Sequence, residues 1–191
     1  MNKTISLGIV LYIQCIYLFA TPQIPDTLIY NGREYDIING HNPMEFYFNK
    51  FPEKRPPGQH STALWRGYIA TFEIMENELW VVDIKKFGSI DMTFGRINYV
   101  SFINQCLNGE SKIKIDWFNG LLILPQYRRV ELARLRLGDD ANEYYIKMEI
   151  RNGELISQSI INREQYIEFI REQIENSVEY VPEIREGNIL R

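Results

Sequence analysis

Apolar and polar side chains alternate with a period of two along much of this chain, and the alternation is broken by Asn-Gly pairs. Four hairpin-like units follow from that pattern. Thr27–Ile37 turns at Asn31-Gly32, Leu64–Ile84 at Glu76-Asn77, Ile113–Leu124 at Asn119-Gly120, and Glu143–Ile161 at Asn152-Gly153. A type I′ turn needs positive φ at both central residues, which Asn and Gly tolerate best. The second and fourth units are alike: a shift of 76 residues pairs Tyr68 with Tyr144, Glu73 with Glu149, Glu78 with Glu154 and Leu79 with Leu155. Duplication explains this, and so does convergence of two amphipathic hairpins in one sheet, which is the simpler reading.

Helical periodicity is confined to shorter stretches. Arg163–Glu175 follows Asn162 as N-cap, with Gln165 at the capping-box spacing, and aligns Tyr166, Ile167, Ile170 and Ile174 on one face. Ile97, Val100, Ile103 and Leu107 predict a second helix over Arg96–Leu107, and a short third covers Met44–Phe51 before the breaker Lys54–Gly58. The expected fold is α+β, a mainly antiparallel sheet of β-hairpins with one to three helices packed on it. One domain spans residues 21–191, with 177–191 a loosely held tail.

The first 20 residues change the picture of where this domain works. Lys3 precedes an apolar run from Ile5 to Ala20, and Thr21-Pro22-Gln23 follows. This is the layout of a secretory signal peptide cut after Ala20, which predicts a periplasmic or extracellular protein. Two alternatives stand beside it. Residues 5–20 remain as a membrane anchor, although the run falls short of the roughly 20 apolar residues a span needs; or Cys15 is lipidated, although Gln14 fits that processing poorly.

Taking 20 from the 191 residues leaves 171, enough for one core, with 20 basic against 25 acidic side chains. That balance argues against a nucleic-acid partner, and membrane contact is expected only through the N-terminal segment before cleavage. Cys106 would then be the sole thiol, so no disulfide within the chain is possible. Its apolar surroundings predict a buried, inert side chain.

No nucleophile elbow, zinc helix, phosphate loop, dinucleotide fingerprint or EF-hand loop occurs, and the only histidines are His41 and His60. No catalytic residue, cofactor or metal site is therefore assigned. Binding chemistry has better candidates. Arg66 sits between Trp65 and Tyr68, able to stack on a ring, clamp a carboxylate or cover apolar surface. Asp116, Trp117 and Phe118 form an aromatic hairpin tip that serves either as a platform for a partner or as a cap on the core. Arg128, Arg129, Arg134 and Arg136 suit an acidic partner, with Glu131 and Asp139-Asp140 placed to neutralise them.

Three segments carry a resemblance: PDTLIYNGREY (25–35), STALWRGYIATFEI (61–74) and IDWFNGLLILPQ (115–126). With the EYYIKMEIRNGEL hairpin, they make the chain similar to a family of small exported bacterial proteins of unknown function. The resemblance implies export and a bacterial source, and no mechanism.

The expected function is a non-enzymatic binding protein of the bacterial envelope or periplasm. Its partner would be another protein, such as a toxin met by an immunity protein, or a glycan. The alternative is a carboxylate-dependent hydrolase using Glu73, Asp116 or Glu149, which requires two acids to converge in a concave site with one of them desolvated.

Overall fold

The computed structural model describes residues 23–38, 42–57, 63–93 and 96–178. The expected signal segment and cleavage site, Cys15, His41, His60 and residues 179–191 of the expected tail lie outside them.

The described chain is α+β. Nine strands form one mixed, mostly antiparallel sheet: β1 (Asp26–Tyr30), β2 (Arg33–Ile37), β3 (Tyr68–Met75), β4 (Glu78–Asp91), β5 (Arg96–Ser101), β6 (Ile113–Lys114), β7 (Gly120–Pro125), β8 (Tyr144–Arg151) and β9 (Glu154–Asn162). Four α-helices accompany it: α1 (Pro43–Lys50), α2 (Ile103–Cys106), α3 (Arg129–Leu135) and α4 (Arg163–Val178).

The main strand order is β2-β1-β3-β4-β9-β8-β7. β2 lies beside β7, where Ile38 donates its amide to Ile123 O at 3.1 Å, so the sheet curls toward closure. Leu28, Phe48, Tyr68, Phe72, Leu79, Ile84, Ile115, Leu122, Leu124 and Met148 fill the enclosed core. On the chain's other side α4 packs against β8 and β9, with Tyr166 stacked on Tyr145. Its cap is reciprocal: Asn162 accepts from Gln165 N, and Gln165 accepts from Asn162 N, both at 2.9 Å. The helix runs three residues past Glu175.

Three of the four turns form as their residues dictate. Asn31-Gly32, Glu76-Asn77 and Asn152-Gly153 all take positive φ. The two similar hairpins, β3–β4 and β8–β9, meet turn to turn: Glu78 pairs with Glu154, Leu79 N donates to Gly153 O and Leu155 N to Asn77 O, both at 2.7 Å. These bonds interchange under the same 76-residue shift that relates the two sequences.

Two expectations are corrected. Ile113–Leu124 is not a hairpin, because neither Asn119 nor Gly120 has positive φ. β6 pairs with β4 and β7 pairs with β8, while Asn119 Oδ1 accepts from Asn152 N. The Asn-Gly pair braces the neighbouring turn instead of making one. Arg96–Leu107 is not one helix either. Its first half is β5, and only Ile103–Cys106 is helical. β5 pairs with the edge of β4 opposite β3, along Lys85–Asp91, where Ile97, Tyr99 and Val100 serve well as β-formers. α3 has no counterpart among the expected helices.

Gly153 is the tightest point where the two hairpins meet. With φ +74°, an added Cβ would lie 1.8 Å from Ile115 O, whereas the same φ at Gly32 faces open space. Gly153→Ala is expected to cost at least about 3 kcal/mol in urea unfolding, and Gly32→Ala only about 1 kcal/mol. Equal costs would mean that the meeting of the hairpins carries no special constraint.

Candidate functional site

The first residue of β1 is a buried carboxylate. β1 runs parallel to β3 and antiparallel to β2, which brings Asp26 under the loop entering β3. Arg66, in that loop, holds Asp26 through both guanidinium ends, at 2.8 and 3.3 Å, and donates to Ile24 O at 3.1 Å. Ala70 N completes the carboxylate's shell at 2.8 Å. Burial, the strongest influence, pushes the Asp26 carboxyl above its ordinary range against the pull of Arg66 and the Ala70 amide.

A second pair adjoins the first. Glu45 of α1 takes 2.7 Å and 3.4 Å hydrogen bonds from Arg55 and one of 2.8 Å from the Tyr68 hydroxyl. Burial works to raise its carboxyl, but these donors and the Arg55 charge prevail and hold it below the usual value. Burial and the two neighbouring carboxylates push the Tyr68 hydroxyl far up. Both guanidinium groups also lie over the Tyr68 ring.

A third cluster joins β2 to α3. The buried Asp36 accepts from Arg128 Nε at 3.0 Å and from the Arg129 amide at 2.9 Å. Arg128 also pairs with Glu34, and its own amide donates to Glu131. The arginines after Pro125 are thus neutralised in part, but by Glu34 and Asp36 of a distant hairpin. Glu131 instead caps α3 and meets Arg33 at 3.6 Å.

The first and third clusters wall two adjoining hollows, of about 400 and 280 Å³. The larger includes Thr27, Asp36, Thr71, Lys85, Tyr99 and Arg128; the smaller includes Asp26, Ile37, Trp65 and Arg66. Gln23, Ile24, Pro25 and Arg129 belong to both. Trp65 is 60% exposed at the lip. The Arg129 guanidinium donates to Gln23 O at 2.8 Å, and among the described residues no carboxylate pairs with it. It is the uncompensated cation between the two hollows.

The sequence candidates therefore separate. Trp65 and Arg66 are neighbours at this site, one exposed and the other mostly buried in its ion pair. Trp117 and Phe118 pack against the core. Trp117 stacks on Tyr47 and donates Nε1–H to Pro43 O at 2.8 Å. Asp116 is exposed and lines neither hollow. Glu149 bonds Arg151 and Ser157 on the outside, and these contacts lower its pKa; it and Glu73 also lie outside both hollows. Cys106 is fully buried, and that burial pushes its thiol up to about 11.

Sequence reasoning missed Asp26, Asp36 and Tyr99, and passed over Arg129 as one of a cluster. An aspartate opening an apolar strand, as in DTLIY, was the available signal for Asp26. Among the described residues no group of three or more His, Cys, Asp or Glu is placed to hold a metal, and no helix is long and apolar enough to cross a membrane.

The chain matches no protein-family model, no curated protein and no solved structure. The resemblance to small exported bacterial proteins thus rests on the quoted segments alone.

Removing Arg66 leaves a buried carboxylate without its partner. Arg66→Ala is expected to lose about 3 kcal/mol or more in urea unfolding at pH 7, and Asp26→Asn/Arg66→Met to recover part of it. A loss below about 1 kcal/mol would place the pair among ordinary surface bridges.

Glu45 has a lowered folded pKa, so the stability it contributes is present above the unfolded value of 4.5 and is lost as pH falls through the folded one. Asp26 acts in the opposite sense, since its raised pKa lets the folded chain bind a proton first. The urea midpoint of Glu45→Gln is therefore expected to fall less than that of the wild type between pH 5 and 3. Parallel curves would contradict this assignment.

Proposed function

We propose that this chain is a non-enzymatic binding protein of the bacterial envelope or periplasm, and that it takes an acidic segment of a partner protein at the two hollows. The observation that carries the reading is Arg129, a cation shared by both hollows and without an acid of its own among the described residues. Of the cations lining the larger hollow, Lys85 meets Asp83 and Arg128 meets Glu34 and Asp36, which leaves Arg129 as the charge that favours an anionic group.

A protein is favoured over a glycan by what lies next to the larger hollow. Lys85 and Tyr99 line it from β4 and β5, and the same two strands extend outward as a ribbon. On the ribbon Ile90 pairs with Ile97, both exposed, and Met92 beyond them is 86% exposed. Aliphatic side chains beside a cationic hollow suit a polypeptide that mixes acidic and apolar residues. The toxin–immunity relationship is one form such a pairing takes.

The hydrolase reading has less support. Asp26 and Asp36, the acids lining the hollows, each have their oxygens occupied by an arginine and a backbone amide. A general acid or nucleophile needs an oxygen directed at substrate.

The test is a titration of tryptophan fluorescence with acidic, neutral and basic peptides of matched length, and with uronate and neutral oligosaccharides. Acidic peptides are expected to bind, more weakly as salt rises, with Trp65→Ala and Arg129→Ala each reducing affinity about tenfold. Equal binding of neutral peptides, or unchanged affinity in both variants, would overturn the reading. Preference for uronates would transfer the site to a glycan.

A further inference from the structure

β9 departs from the rest of the sheet almost as soon as it begins. It pairs with β8 along its length but with β4 only at Glu78–Glu154. Farther along, β4 is occupied by β6 and β5. Among the described residues, the second edge of β9 from Ile156 to Asn162 therefore has no strand beside it.

Sheet edges are usually guarded by charge or proline. This one is not: Leu155–Asn162 reads LISQSIIN, eight residues without a charge in a chain that is 24% charged. Ile160 is 73% exposed and Ile156 50% exposed. The one irregularity is the bulge at Ile156, the extra residue between the Ile150–Leu155 and Glu149–Ser157 pairs, which turns that side chain out at the end of the regular run Ser157–Asn162.

The run is also self-complementary. A twofold axis through Gln158 sets two copies of β9 antiparallel, with Ile156 opposite Ile160 of the second copy and Ser157 opposite Ser159. Both exposed isoleucines of β9 then meet another across the axis, and no like charges face each other. Gln158 is already turned toward its own chain, with Oε1 accepting from the Tyr30 hydroxyl at 2.6 Å. We infer that β9 is a homodimerisation edge, and that two copies of this chain join their sheets antiparallel about Gln158. This surface is separate from the Arg129 hollows and does not depend on them.

The experiment is sedimentation velocity of the full chain across a concentration series, with circular dichroism and urea unfolding as controls for folding. Both isoleucines are exposed, so their substitution is expected to leave the fold intact. The wild type should sediment as a dimer at tens of micromolar. Ile156→Lys/Ile160→Lys sets like charges opposite each other and should weaken the dimer at least about tenfold. Ile156→Lys/Ile160→Glu sets opposite charges across the axis and should restore it. A wild-type monomer throughout would overturn the inference. So would a dimer indifferent to the lysine pair, or an equal loss in both double variants, since the register predicts rescue only for opposite charges.

Discussion

The Asp26–Arg66 pair is the constraint on which the candidate face depends. A carboxylate at the first position of a buried strand must be compensated, and here Arg66 and the Ala70 amide share the task. Arg66 stands just before β3, so the pair fixes the approach of β3 to the parallel β1. The same pair leaves Trp65, the preceding residue, facing outward at the lip of the smaller hollow. The Asp36–Arg128 contact does equivalent work on the other side, tying the start of α3 to β2 and placing Arg129 between the hollows. Two ion pairs thus shape and line the surface while keeping their own charges engaged.

The distribution of arginine partners is what turns this architecture into a functional argument. Arg55, Arg66 and Arg128 each meet a carboxylate, and the carboxylates they meet are thereby withdrawn from chemistry. Among the described residues the Arg129 guanidinium is held by a carbonyl and by no carboxylate. A charge with no carboxylate counterpart among the described residues, set between an exposed tryptophan and a partly buried tyrosine, suits an anionic group. The adjoining ribbon of β4 and β5 supplies apolar area that the hollows lack.

Local chemistry was legible in the sequence, and long-range pairing was not. The turns at Asn31-Gly32, Glu76-Asn77 and Asn152-Gly153, and the cap at Asn162–Gln165, follow from residues a few positions apart. Asn119-Gly120 carried the same signal yet braces a distant turn, because what decides its role is the position of Asn152, 33 residues away. Arg96–Leu107 misled because Ile97, Val100, Ile103 and Leu107 fit a helix equally well, and only the edge of β4 opposite β3 selects a strand for the first part. At the site, Trp65 and Arg66 were visible as an unusual pair. Their partners Asp26, Asp36 and Arg129 were not, since they gather across the fold. Trp117 looked as suitable as Trp65 until its indole N–H was found bonded to Pro43.

That contrast between the two tryptophans gives the most direct measurement. Indole and guanidinium N–H resonances of the chain can be followed by NMR as a glutamate-rich peptide is added. The account predicts that the Trp65 Nε1–H and Arg129 Nε–H signals shift together and saturate together, while the Trp117 Nε1–H signal stays in place. Movement of the Trp117 signal with Trp65 and Arg129 unchanged would contradict it, and would return the binding face to the Asp116–Phe118 tip.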